Sequence, residues 1–375
     1  MLATAYGPGL RAQGHGNNSA RAQPIVLERQ GSFSFGGTVI TGPDGNTFHG
    51  DHGYAFFQVP PNAKRLALVM WHGAGEFSKT WESTPDGREG YQQIFTRRGW
   101  PTYVIDQPRR GNAGRTTVGT TIRDAVPNEA GLFNVLRLGS WLPPAPPHFF
   151  PNTQFPQDSG ALDQYWRQVT PNTGPEPIDT ATRTLQAGAV AVLFRKIGPG
   201  ILITHSNSGQ YGWATGMLVP DLVKAIIAYE PAAFSFPADE VPPSVETQDK
   251  GVAAVTAPQL VSRSEFEKLT RSFIQIIYAD NIDTTPSPVY GVELWRVATL
   301  RAQQFVDAVN RHGGDAQLLS LPSVGLHGNT HFPFSDRNNV QVADLLSQYL
   351  HRKGLDSRGS RQRAAHDHPK PTKGS

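Results

Sequence analysis

The clearest signal along the chain is a series of short apolar runs separated by longer stretches with a helical repeat. Runs at 54–59, 66–71, 102–106, 200–204, 225–229, 273–278 and 317–321 have the length and Val/Ile/Leu content of strands. Several are apolar without alternation, as strands covered on both faces are. Between them, Val190, Leu193, Phe194 and Ile197 fall at i, i+3, i+4 and i+7, one face of a helix that stops before Gly198-Pro199. Ala298, Ala302, Phe305 and Val309 form a second stripe closed by Gly313-Gly314, and Val342, Leu345, Leu346, Tyr349 and Leu350 form a third. This alternation predicts an α/β fold, a mainly parallel central sheet flanked by helices.

One stretch breaks the pattern. From 109 to about 177 no strand run occurs, but Phe133, Trp141, Phe149, Phe150, Phe155, Tyr165 and Trp166 supply too much aromatic surface for an unstructured linker. It reads as a cap insertion over a pocket, within one domain spanning 24–355. Residues 1–23 and 356–375 lack periodicity and read as a flexible N-terminal arm and a flexible basic tail.

Composition narrows the classes. With 38% hydrophobic residues in 375, the chain can bury a sizeable core. The net charge of +3 resides in 356–375, where five Lys/Arg face two Asp/Glu, and no basic–aromatic module accompanies it. Nucleic acid is therefore not an expected partner. No apolar run approaches the roughly 18 residues that span a bilayer, so no membrane partner is expected either. The absence of cysteine excludes disulfides, thiolate catalysis and cysteine-ligated zinc. The first 23 residues lack the apolar stretch of a signal peptide, which leaves either a cytoplasmic protein or one whose signal has been removed.

The run at 200–204 leads into Thr204-His205-Ser206-Asn207-Ser208-Gly209, with helix-like sequence after it. A small-x-Ser-x-small pattern between strand and helix is the setting of a nucleophile elbow, with Ser206 on the sharp turn. Ser206 needs a base, expected on a loop after the last strand. His327 and His331 both lie there, in Gly325-Leu326-His327-Gly328-Asn329-Thr330-His331. Their i, i+4 spacing lacks the glutamate of zinc proteases, and no metal or other cofactor is required. The acid that orients the base is Asp280, after the strand at 273–278, or Glu230, directly after the strand at 225–229. Amides for the oxyanion are expected from Asn207 and from the His72-Gly73-Ala74-Gly75 turn after the strand at 66–71.

These segments, with 81–90 (Trp-Glu-Ser-Thr-Pro-Asp-Gly-Arg-Glu-Gly), 103–107, 152–156, 336–339 and 342–345, resemble the bacterial esterase group typified by esterase 713, in the α/β-hydrolase superfamily. The resemblance covers most of 31–355. It implies an α/β-hydrolase fold, Ser206 as nucleophile, His331 as base, Glu230 as acid and oxyanion amides at Ala74 and Asn207. It also implies a homodimer from an exported or periplasmic setting. The chain departs from the type member in the oxyanion loop, where Ala74-Gly75 stand in place of adjacent cysteines. The expected reaction is hydrolysis of a small hydrophobic or aromatic ester through an acyl-enzyme. A lactonase or an acyltransferase would use the same residues, and a binding module on this fold would lack one of them.

Overall fold

The computed structural model describes residues 23–114, 129–169 and 176–359. All but the last residue of the expected arm, and the tail beyond 359, lie outside them. Eight strands build one sheet: β1 (Arg29–Thr41), β2 (Thr47–Val59), β3 (Ala67–Trp71), β4 (Thr102–Asp106), β5 (Gly200–His205), β6 (Val223–Tyr229), β7 (Phe273–Tyr278) and β8 (Asp315–Ser320). Their spatial order is β1-β2-β4-β3-β5-β6-β7-β8. From β4 to β8 every neighbouring pair is parallel, while β1 and β2 run antiparallel to their neighbours. The expected fold class is found.

Burial explains why five of the strands were readable. Every residue of β3, β4 and β5 is buried, and β6 and β7 depart from this by one residue each. Residues alternate between the two faces: Val69 and Trp71 join one core cluster, Leu68 and Met70 the other. The first cluster packs on the helices α1 (Thr180–Ile197), α2 (Ser208–Leu218) and α3 (Tyr290–Arg311). The second packs on α4 (Asn339–Arg352) and takes in Phe133, Leu136, Leu138, Phe155 and Tyr165 from the inserted segment.

Three boundaries differ from expectation. No strand is expected before residue 54, yet β1 and the first half of β2 form a long hairpin. Most of β1 is exposed, and its Ser, Thr and Gly positions carry little apolar signal. The last strand is shifted: β8 ends at Ser320, and Leu321 starts a 3₁₀ turn containing Pro322. At the C-terminal end the chain is held as far as Gly359, past the expected tail boundary at 356. Arg65 N donates to Ser357 O at 2.8 Å, and Asp356 pairs with Lys64 and His351.

Candidate active site

The run into β5 ends at His205, and α2 begins at Ser208, so the chain reverses within Ser206 and Asn207. Ser206 has φ of +51°, a left-handed conformation that side chains rarely adopt. That conformation lifts a side chain off the end of a strand, as a nucleophile elbow does. Ser208 fastens the turn: its Oγ accepts from His205 N at 2.9 Å and donates toward Trp71 O at 3.2 Å. Thr204, the β-branched residue at a position where small side chains are the rule, finds its space across the helix. A Cβ on Gly212 would stand 2.8 Å from Thr204 Cγ2.

Glu230 occupies the equivalent point on the next strand, one residue beyond β6, and is also left-handed at φ +56°. It is fully buried. Its Oε2 lies 3.2 Å from His331 Nδ1, and its Oε1 accepts from Arg137 Nη2 at 2.7 Å and Ala279 N at 2.5 Å. Burial pushes the Glu230 carboxyl up, but the Arg137 guanidinium and His331 outweigh it and hold the group below its usual range. The His331 ring is buried as well and packs 4.4 Å from the Trp295 ring. Burial first, and the neighbouring His205 second, lower its pKa to about 4. It therefore stands neutral at pH 7, ready to take a proton.

The base loop is held from several sides. Asp336 Oδ2 accepts from Thr330 N at 2.7 Å and Asn329 Nδ2 at 3.0 Å, and its Oδ1 accepts from Thr330 Oγ1 at 3.0 Å. Burial raises the Asp336 pKa to about 7. His331 N donates to Leu136 O in the inserted segment at 3.0 Å. Asp280 braces the same loop rather than meeting His331. Its Oδ2 accepts from Gly328 N at 2.7 Å and stands 3.5 Å from His327 Nδ1. His327 is 59% exposed at the side chain, so this second pair sits at the surface.

The turn holding Ala74 lies against the elbow: a Cβ on Gly73 would come within 3.1 Å of Ser206 Cβ. The Asn207 side chain is drawn aside by Glu176, at the far end of the inserted segment, with Nδ2 to Oε2 at 2.6 Å. Glu176 also pairs with Arg110 Nε at 3.0 Å and accepts from Gln107 Nε2 at 2.7 Å. A chain of rings, Phe133, Phe149, Phe155 and Tyr165, runs through the insertion to Phe332, next to His331. Among the described residues no group of three or more His, Asp or Glu is placed to hold a metal ion.

The structure thus brings Ser206, Asn207, Ala74, Glu230 and His331 to one end of the sheet, at the C-terminal ends of its parallel strands. Sequence reasoning missed Arg137, Glu176, Glu76, His205 and Trp295. Arg137 left one trace, a lone cation between Leu136 and Leu138. Nothing in the sequence connects it to Glu230.

Sheet order and strand–helix connections define an α/β-hydrolase fold. Within it the chain is similar to a solved structure described as a novel bacterial esterase, with 29% identity and a TM-score of 0.68, covering 88% of this chain and 98% of that one. It is also 26% identical over 325 residues to a "Probable secreted lipase phiG" of a fungal species (strain ATCC 74256), covering 78% of this chain and 84% of the relative. No protein-family model matches the chain.

Proposed function

We propose that the chain is a serine carboxylesterase in which Ser206, His331 and Glu230 act as nucleophile, base and acid. The observation that carries this reading is the left-handed Ser206 at the end of β5 beside a buried Glu230–His331 contact of 3.2 Å. Ser206 Oγ attacks the ester carbonyl while His331 Nε2 takes its proton; Nδ1 is committed to Glu230. The developing oxyanion is met by the amides of Ala74 and Asn207. The His331 proton passes to the leaving alcohol, leaving the acyl group on Ser206. Water then gives a proton to His331 and attacks the acyl carbon, and His331 passes that proton to Ser206 Oγ as the acid leaves. Arg137 keeps Glu230 ionised throughout, so that the imidazolium formed in each half-reaction faces a negative charge.

The aromatic chain leading to Phe332 supports a hydrophobic or aromatic group on the ester. Export is part of the reading, since the fungal relative is named as secreted. Among the described residues no helix is long and apolar enough to cross a membrane. Labelling with a fluorophosphonate probe, followed by peptide mass spectrometry, tests the core of the proposal. A single adduct on Ser206, absent in Ser206→Ala, is expected. A folded protein that takes no adduct there refutes it.

A further inference from the structure

Beneath the elbow lies a further carboxylate–imidazole pair, and the proposed reaction does not use it. His205, the residue before Ser206, is fully buried, and Glu76, two residues past Ala74, is 3% exposed. His205 Nε2 stands 3.0 Å from the carbonyl oxygen of His331, and its Nδ1 stands 3.1 Å from Glu76 Oε1. A carbonyl oxygen only accepts, so Nε2 carries a hydrogen. In a neutral ring Nδ1 then offers a lone pair to an ionised carboxylate that also offers only lone pairs. At 3.1 Å, away from water, that contact is repulsive unless a proton lies between the two atoms.

Neither His205 Nδ1 nor Glu76 Oε2 makes a well-directed hydrogen bond among the described residues, the 3.1 Å approach of Nδ1 to Oε1 included. The proton is therefore what reconciles the two groups, whether nitrogen or oxygen holds it formally. With it the pair is neutral overall; without it a lone charge would be buried. The other titratable groups around the pair are His72 and Tyr165 beside Glu76, and His331 beside both members. Gly73 makes the contact sterically feasible, since a Cβ there would fall 2.6 Å from Glu76 Oε1 and 2.8 Å from His205 Nδ1.

We infer that Glu76 and His205 are positioning residues, a proton-bearing pair that locks the oxyanion turn and the backbone of the base to the nucleophile strand. The inference rests on the roles proposed above for Ser206, Ala74 and His331. Neither member reaches the reacting atoms. What position 76 must supply is a hydrogen toward Nδ1, not a negative charge. Glutamine supplies one permanently through its amide; leucine supplies none.

Glu76→Gln and Glu76→Leu should be compared by kcat and KM on a p-nitrophenyl ester, by probe labelling of Ser206 and by thermal melting. Glu76→Gln is expected to keep kcat within about threefold. Glu76→Leu is expected to lose about a hundredfold in kcat, with KM moving less than about threefold, as for a misplacement of about 1 Å at the reacting centre. Glu76→Gln as impaired as Glu76→Leu, or Glu76→Leu unimpaired, overturns the pair. If Glu76→Leu gives no cooperative melt, Glu76→Gln decides alone: near-normal kcat supports the pair and a deep loss refutes it. Absence of the Ser206 adduct in the wild-type protein is a different failure, which removes the functional reading and the inference with it.

Discussion

Replacing Arg137 with methionine isolates the charge that sits behind the acid. Arg137 is 3% exposed, donates to Glu230 Oε1 at 2.7 Å and to Asp280 O at 2.9 Å, and stacks over Trp295 at 5.2 Å. Methionine keeps much of the volume and the contact with the indole. Arg137 already has φ of +55°, so the exchange of one side chain for another leaves the backbone strain unchanged. What disappears is the partner of a fully buried carboxylate, and breaking a buried pair in this way costs about 3–5 kcal/mol. That is a large part of the roughly 5–15 kcal/mol by which domains are stable.

The pH dependence gives the prediction its sign. In the wild type the Glu230 pKa lies below its unfolded value, so its contribution is present above about pH 4.3 and is lost as pH falls through the folded value. Without Arg137, burial is opposed only by His331 and the Ala279 amide, and the carboxylate becomes harder to keep ionised. The stability gap between the two proteins should thus be widest near pH 7–8 and narrow toward pH 4. Urea unfolding followed by tryptophan fluorescence across that range measures it. The acid limb of kcat/KM should also move to higher pH, because Arg137 is one of the charges that lower the His331 pKa. A loss of less than about 1 kcal/mol at pH 7.5, or a gap that widens on acidification, would refute the reasoning.

Three further outcomes are expected. Glu230→Gln should lower kcat by about a thousandfold or more, as loss of the carboxylate does in serine triads; Asp280→Asn should cost no more than about tenfold, and the reverse ranking in steady-state assays would move the acid to Asp280. By the same assay His331→Ala should abolish turnover while His327→Ala leaves a substantial fraction; in the wild type the acid limb of kcat/KM should fall near pH 4 rather than 6.5, since His331 stays neutral down to that range. Gly212→Ala should destabilise the fold by about 1–3 kcal/mol through overpacking against Thr204, and Thr204→Ser in the same chain should recover most of it; no recovery in urea titrations would mean the strain lies elsewhere.

How much of this was legible depends on where the determining contact lies in the sequence. Strands such as β5 and β6 announce themselves because both faces are buried and most positions are apolar. The exposed hairpin strand β1 follows no such constraint and escaped notice. The elbow was visible in five residues, yet the question raised by Thr204 was answered only by Gly212, about one turn into the following helix. The choice between Glu230 and Asp280 was open to residue-level reading, because both follow strand ends in the same chain order. The distances separate them: Glu230 faces His331, whereas Asp280 holds Gly328 and approaches His327. Arg137 and Glu176 come from an insertion whose register on the sheet is set by packing alone, and no local pattern points from either to the residue it holds.

Ser206 and Glu230 sit 24 positions apart in the chain, but the chain between them does not measure the distance across the site. His205 pairs with Tyr229 across the sheet, Ser206 N donates to Tyr229 O at 2.8 Å, and Glu230 N donates to Ile277 O at 2.9 Å. The two left-handed residues are thus neighbouring teeth on one ratchet, each a single notch past the end of its strand. α2 is buried and Ser208 fastens the elbow, so of the chain linking them only the turn around Pro220-Asp221 can lengthen or be exchanged without moving either. A slip of one notch between β5 and β6 would instead turn one of the two side chains away from the other. Insertions in that turn are therefore the place to redesign this stretch, while α2 and the strand edges beside it tolerate none.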